Sequence, residues 1–402
     1  MLESQLEKWV VSHAATDLPL ALILPSGQRI DLGAAAKVVI HIKDLTGARL
    51  LFNPSLSNLG TAYVEGHLDI DGEVEDLIAV AVRLAKRDDA EDFTEPGGGL
   101  MGRLLAHSKK RDRESIEYHY DVSNDFYKLF LDRNMVYSCG YFRTPEDSLD
   151  LAQEQKLDHI LTKLMIKPAD RLLDVGCGWG ALAIRAAQKG ASVVGVTLSQ
   201  NQFDYARNRV EALGLADLCE IRLQDYRDIP DTERFNKIVS VGMFEHVGHK
   251  NLPAYFAKMH GLLDDGGAML MHGITSTDPN RRVVGRGGGE FIDRYVFPDG
   301  ELPHVSFATR CIAEAGFEVY DVESLRRHYA LTLSEWAHRL EHHADEARQM
   351  AGDKRYRIWR VYLAGCAYGF ANNWMNINQM LCCKLGDAKA NPFPMTRDWI
   401  YN

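Results

Sequence analysis

Strand-like and helix-like periods alternate along the middle of this chain. Residues 149–164 place apolar side chains at helical spacing, and the pattern ends at Lys167-Pro-Ala-Asp170. From Arg171 short apolar runs take over. The runs 171–175, 192–197, 219–223, 235–241 and 268–274 read as strands. The segments 181–189, 200–213 and 252–262 read as the helices between them. This alternation predicts an α/β fold with a doubly wound sheet, whose ligands sit at the carboxyl ends of the strands. Residues 332–380 read as helical and are rich in aromatics, among them Trp336, Tyr356, Trp359, Tyr362, Tyr368, Phe370 and Trp374.

Either side of this region the pattern is less regular. Residues 18–24 and 37–42 are β-like, with a Pro-Ser-Gly turn at 25–27, and residues 76–84 have helical spacing. Residues 1–90 are therefore expected to form a small α+β domain for packing or for docking to lipid or membrane. Residues 91–115 are expected to be a linker, and 116–402 the main domain. The stretch 100–113 mixes leucines with Arg103, Lys109, Lys110, Arg111 and Arg113. It suits either contact with anionic lipid or a solvated linker helix. The aromatic-rich segments 115–127 and 135–142 lack a clean period, and they suit either a ligand wall or core packing. The glycine-rich stretch 275–304 is expected to be a long loop, of the length that often forms a lid over a site.

Composition narrows the partners. A net charge of −10 argues against a nucleic-acid-binding surface. Seven cysteines show no metal-ligand spacing, so no metal is expected. The first residues are charged and lack the apolar core of a secretory signal, so reduced thiols and a cytoplasmic location are expected. No apolar run reaches the roughly 20 residues of a membrane span, leaving peripheral membrane contact.

The candidate chemistry starts at Arg171-Leu-Leu-Asp-Val-Gly-Cys-Gly-Trp-Gly180. A strand runs into a turn with glycines at 176, 178 and 180, and a helix opens at Ala181. The glycines at 176, 178 and 180 let the backbone approach a ligand, and the helix start adds free N–H groups. Dinucleotide-binding proteins use similar turns to hold a pyrophosphate. Asp174 at the strand end instead suits a ligand with a cationic or amino-acid end, which favours S-adenosylmethionine. The second strand ends in Thr197 and Leu198, with Gln202 beyond, and lacks the carboxylate that ordinarily binds ribose hydroxyls. Gln224, Asp225 and Tyr226 follow the third strand, where Asp225 suits an adenine amino group. Glu245 and His246 follow the fourth strand, and His272 and Ile274 close the fifth.

These segments, with Tyr118-His-Tyr-Asp-Val-Ser-Asn124, Tyr137-Ser-Cys139, Tyr295-Val-Phe-Pro-Asp-Gly-Glu-Leu-Pro303 and His328-Tyr-Ala-Leu-Thr-Leu333, resemble the cyclopropane-fatty-acyl-phospholipid synthase family, related to the mycolic acid cyclopropane synthases. The resemblance spans about residues 115–375 and fits the N-terminal region more loosely. It implies a Rossmann-like class I methyltransferase fold with a helical C-terminal cap. It implies transfer of a methyl group from S-adenosylmethionine to a cis double bond of a phospholipid acyl chain, giving a cyclopropane ring. A methylene- or methyl-branched product, or a lipid-binding protein with a vestigial site, are the competing readings. The implied donor residues are Tyr137, Ser138, Asp174, Gly176, Gly178, Thr197, Leu198, Gln202, Gln224, Asp225 and Tyr226. The implied base is a bound bicarbonate held by Cys139, Glu245, His272, Ile274 and Tyr329. An anion beside Glu245 requires a shared proton or a cationic His272, so the cluster is expected to titrate as a unit. A homodimer acting on the inner face of the membrane is implied as well. The Arg286-Gly-Gly-Gly289 loop is longer than the family pattern.

Overall fold

The computed structural model describes residues 18–85, 93–94, 123–280, 283–284, 287–297, 300–387 and 391–401. Most of the expected linker at 91–115, the basic stretch 100–113, residues 118–122 of the aromatic motif and residues 281–282 and 285–286 of the glycine-rich loop lie outside them. The chain divides into two compact units.

The first unit contains β1 (Leu20–Ile23), β2 (Arg29–Asp31), β3 (Val38–Ile42) and β4 (Leu68–Asp71), ordered β2-β1-β3-β4. Gly27, at φ +84°, turns the chain between β1 and β2. In β3, Val38, Ile40 and Ile42 are buried while Val39 and His41 are half-buried, as the two-residue period requires. Ser55 caps the helix Leu56–Val64 by accepting from Asn58 N. This region was expected to stand alone as 1–90. The unit also takes in residues 287–297 and 336–374. The physical reason is core volume, because the helix Asp353–Ala371 adds buried Tyr356, Trp359, Tyr362, Leu363 and Phe370. Its Arg360 is 9% exposed and donates to Glu341, to the Tyr63 hydroxyl at 3.1 Å and to Gly72 O at 3.0 Å. The stretch expected to be one long loop contains a helix, Gly288–Tyr295. It starts at Gly287, which has φ +82°, and it buries Phe291 and Tyr295. Gly60 leaves room for the Phe291 ring, since a Cβ there would lie 2.7 Å from it.

The second unit is built on β5 (Arg171–Val175), β6 (Ser192–Thr197), β7 (Cys219–Leu223), β8 (Phe235–Val241), β9 (Leu263–Ser276), β10 (Phe317–Ser324) and β11 (Met375–Lys384). The order is β10-β11-β9-β8-β5-β6-β7. Strands β5 to β9 pair in parallel, and β11 runs antiparallel to both β9 and β10. The five expected strands are present, with β9 longer at both ends. Two strands were not anticipated. Residues 332–380 were expected to be helical throughout, but the helices end at Ala371 and Met375 begins β11. A strand buried on both faces shows no alternation, so a run such as Met380-Leu-Cys-Cys383 carries no strand period.

Alternate residues of β5 serve opposite layers. Leu172 joins a core with Leu157, Ile160, Leu182 and Ile184, while Leu173 and Val175 join one with Ile238, Phe256 and Met259. The chain passes from β5 out to β6 and β7, then returns to β8 on the other side of β5. This reversal opens a crevice at the carboxyl end of β5.

Candidate active site

The turn after β5 is left-handed at each glycine: φ is +80° at Gly176, +55° at Gly178 and +83° at Gly180. A Cβ on Gly180 would lie 3.0 Å from that of Ala206, whereas one on Gly178 would meet no atom within 4 Å. Gly178 therefore faces open space, in a cavity lined by Tyr137, Ser138, Asp174, Gly176, Gly178, Thr197, Leu198, Gln202, Gln224, Asp225 and Tyr226. Every residue expected to hold the donor thus borders one cavity.

Local hydrogen bonds fix several of them. Thr197 Oγ1 donates to Gln202 Oε1 at 2.9 Å, and Gln224 Nε2 donates to Asp228 O at 3.0 Å. Asp225 is less free than the sequence suggests, because Arg227 donates to both its carboxylate oxygens, at 2.9 and 2.6 Å. Asp174 is buried and accepts no hydrogen bond from the described residues. Burial pushes its carboxyl up to about 7, against the opposing pull of Lys156.

Lys156, Trp179, Arg227, Met243, His246 and Asn251 also line the cavity. Of these only His246 had been singled out. Lys156 is 2% exposed and donates to Ser138 Oγ at 2.9 Å, and burial brings it down to about 8. A signal for it existed. The helix Leu149–Lys163 buries Gln153, Lys156, His159 and Lys163, a polar stripe at helical spacing within its inner face. Phe126 and Tyr127, from the aromatic-rich segment, are instead fully buried, and Tyr127 lies 5.0 Å from the Trp179 ring. They are core, while Tyr137 borders the cavity.

The second expected set falls into two groups, and none of its members lines that cavity. Glu245 Oε1 accepts from Ile274 N at 2.6 Å, and its Oε2 is buried without a partner. Burial pushes this carboxyl up to about 7. His272 is fully buried on β9 and accepts at Nδ1 from Gln379 Nε2 of β11, 3.2 Å away. With the Gln379 amide so oriented, the neutral ring carries its hydrogen on Nε2, which is buried without a partner. Burial, then Lys156 and Lys163, hold His272 well below its ordinary value, so the ring is neutral. Of the two ways to accommodate an anion, this favours a proton kept at Glu245 over a cationic His272.

Cys139 and Tyr329 belong to the other group. The Cys139 thiol is fully buried, and burial drives it far above its ordinary value, so it is no nucleophile. The helix Arg326–His342 holds the Cys139 loop from one side. Thr332 Oγ1 accepts from Gly140 N at 3.0 Å and His328 Nδ1 accepts from Phe142 N at 3.0 Å, flanking Tyr329. Tyr141 stacks between His328 and His159, at 4.8 and 4.2 Å. Thr332→Val keeps the shape but removes the acceptor for the buried Gly140 N–H. We expect it to cost roughly 1–3 kcal/mol in thermal unfolding, and an unchanged melting temperature would show that the latch does not matter. Within the expected anion set, the one direct hydrogen bond among the described residues joins Glu245 and Ile274.

Comparison with known proteins places this geometry. The family model described as mycolic acid cyclopropane synthetase matches residues 107–380, and a domain of unknown function matches 9–88. A probable fatty acid methyltransferase of Pseudomonas putida is 48% identical, over 96% of both chains. Cyclopropane mycolic acid synthase 1 of Mycobacterium tuberculosis is 37% identical, over 67% of this chain and 96% of its own. The crystal structure of mycolic acid cyclopropane synthase CmaA1 complexed with SAH and CTAB superposes with a TM-score of 0.64 at 36% identity, covering 68% of this chain and 98% of that one.

Proposed function

Because this chain belongs to the mycolic acid cyclopropane synthetase family, we propose that it is an S-adenosylmethionine-dependent lipid methyltransferase that converts a cis double bond of a phospholipid acyl chain into a cyclopropane ring. The observation that carries the reading is the pair of buried, unpartnered atoms Glu245 Oε2 and His272 Nε2. Buried polar atoms are ordinarily satisfied, so a small polar group is expected to join them. Bicarbonate fits. Protonated Glu245 and the Nε2–H of His272 are donors, and Ile274 N holds the Glu245 carboxyl in place through Oε1.

The residues present also fit S-adenosylmethionine. Asp174 offers a carboxylate to its amino-acid end, Gly176 and Gly178 leave room along the turn, and Gln224 to Tyr226 border the same cavity. When bound, it supplies a methyl group electrophilic enough for an alkene, and bicarbonate supplies the base that takes the proton lost on ring closure. The protein supplies position and dryness. Alignment of donor and alkene is worth on the order of 7–11 kcal/mol at best. Water near the carbocation would trap it, so the apolar walls matter as much as the polar ones. The thiol of Cys139, kept protonated by burial, does not compete for the methyl group. In this reading the enzyme works as a homodimer on acyl chains at the membrane surface. No described helix is long and apolar enough to cross a membrane.

Incubation with methyl-labelled donor, bicarbonate and unsaturated phospholipid vesicles tests the activity. Absence of label in lipid would leave a lipid-binding protein with a vestigial site. A branched product is the second reading, favoured because the Pseudomonas putida relative aligned along nearly the whole chain is named a fatty acid methyltransferase. Proton NMR separates them: ring protons resonate far upfield, vinylidene protons far downfield. Running free fatty acid beside phospholipid identifies the acceptor.

Gly178→Ala probes the donor site. The left-handed conformation costs an alanine roughly 1–2 kcal/mol, so the protein still folds. The added methyl projects into the cavity, and donor affinity is expected to fall at least about tenfold by calorimetry. Unchanged affinity would move the donor away from the turn.

A further inference from the structure

Two opposite charges border the cavity without satisfying each other. Asp174 is 2% exposed, its Oδ2 is buried, and its carboxylate accepts no hydrogen bond from the described residues. Lys156 is equally buried and has three N–H groups, yet among the described residues it makes one hydrogen bond, to Ser138 Oγ. The two act on each other through space but make no ion pair. Their side chains come from the helix Leu149–Lys163 and from β5, and Ser138, the partner of Lys156, lines the same cavity. Leaving both in this state is costly, because a buried charge is stable only when paired or richly hydrogen-bonded.

A zwitterion resolves both deficits at once. Its ammonium donates to a carboxylate that has no donor, and its carboxylate accepts from an ammonium with N–H groups to spare. The ligand end and the protein pair are each neutral overall, so no net charge is buried. A pyrophosphate would satisfy Lys156 but face Asp174, and a simple cation would do the reverse.

We propose that Lys156 is a donor-binding residue that, as the counterpart of Asp174, reads the α-carboxylate of the ligand's amino-acid end while Asp174 reads its α-ammonium. This rests on the donor reading above and adds to it the residue that recognises the carboxylate. Burial pushes Asp174 up to about 7 and Lys156 down to about 8, as expected of two charges short of partners. Ser138 orients the Lys156 ammonium, which explains why a lysine lies on the buried face of a helix.

Calorimetry tests this without any turnover. The ligands are S-adenosylhomocysteine, its decarboxylated analogue and its deaminated analogue. In Lys156→Met, S-adenosylhomocysteine is expected to bind roughly 10- to 100-fold more weakly than in the wild type. The decarboxylated analogue is expected to bind both proteins about equally. Asp174→Asn should show the mirror pattern, losing affinity for S-adenosylhomocysteine and little for the deaminated analogue. Lys156→Gln removes the charge but keeps a donor for Ser138 Oγ, and serves if the methionine variant is unstable. An equal loss for S-adenosylhomocysteine and the decarboxylated analogue, or no loss for either, overturns the assignment and leaves Lys156 as a support for Ser138. Failure of the wild type to bind any of the three ligands would instead sink the donor reading itself.

Discussion

Glu245→Gln is expected to lower kcat by about 10²–10⁴-fold while leaving the dissociation constant of S-adenosylhomocysteine within about threefold of the wild type. The amide oxygen can still accept from Ile274 N, so the geometry at 2.6 Å survives. What disappears is a carboxyl that holds a proton near neutrality, at about 7, because it is buried. The sign of the pH effect follows. Below that value Glu245 is protonated and donates to an anion; above it, the carboxylate repels one. The bicarbonate concentration needed for half-maximal rate is therefore expected to rise as pH climbs past about 7 in the wild type. In any residual activity of the variant it should stay flat. Steady-state rates at controlled bicarbonate, with donor binding by calorimetry, decide the matter. Loss of donor affinity with the rate effect would move Glu245 into the donor site.

The fold's centre was legible because parallel strands and their helices announce themselves. Each of β5 to β8 matches the limits read from apolar runs, and the glycines at 176, 178 and 180 marked the turn between strand and helix. What was lost lies where period and burial part company. Strand β11 is buried on both faces and flanked by a helix rich in aromatics, so its run merged with the helical region. Strand β10 does alternate, with Phe317 and Asp321 buried and Glu318 and Val322 exposed, but a buried aspartate hides the pattern. Asp321 accepts from Lys163, and no sequence period reports a partner 158 residues away.

The site shows the same division. Strand ends converge by topology, so Asp174, Thr197, Gln224 and His246 could be placed together from sequence, whereas Glu245 and His272, expected at the same cleft, do not line the cavity. Lys156 could not, since a helix lysine ordinarily faces water. The clue was collective: Gln153, Lys156, His159 and Lys163 occupy positions that the apolar period of their helix assigns to the interior. Tyr329 had no local signal either. Its helix meets the Cys139 loop through Thr332 and His328, a contact about 190 residues apart in sequence that only the fold creates.

The stability of the ligand-free protein should carry the imprint of these acids. Glu245 and Asp174 are both raised to about 7 by burial, from ordinary values of 4.5 and 3.8. A carboxyl raised in the folded state binds protons more tightly there than in the unfolded chain. Its contribution is fully present below the unfolded value and is lost as pH rises through the folded one, about 3 kcal/mol for Glu245 and about 4 kcal/mol for Asp174. His272, held below its ordinary value, acts in the opposite sense below about pH 6.5, so a raw pH profile mixes signs. A difference isolates the acid. Relative to wild type, Glu245→Gln is expected to gain about 3 kcal/mol of stability between pH 4.5 and 8, most of it below pH 7. Chemical denaturation at several pH values measures it, and a difference that stays constant across that range would show that the carboxyl is not held protonated. Saturating S-adenosylhomocysteine should leave the Glu245 difference in place but flatten the one for Asp174→Asn, because the ligand's ammonium pairs with the Asp174 carboxylate. Both carboxyls sit at about 7 in the ligand-free protein, and only the donor tells them apart.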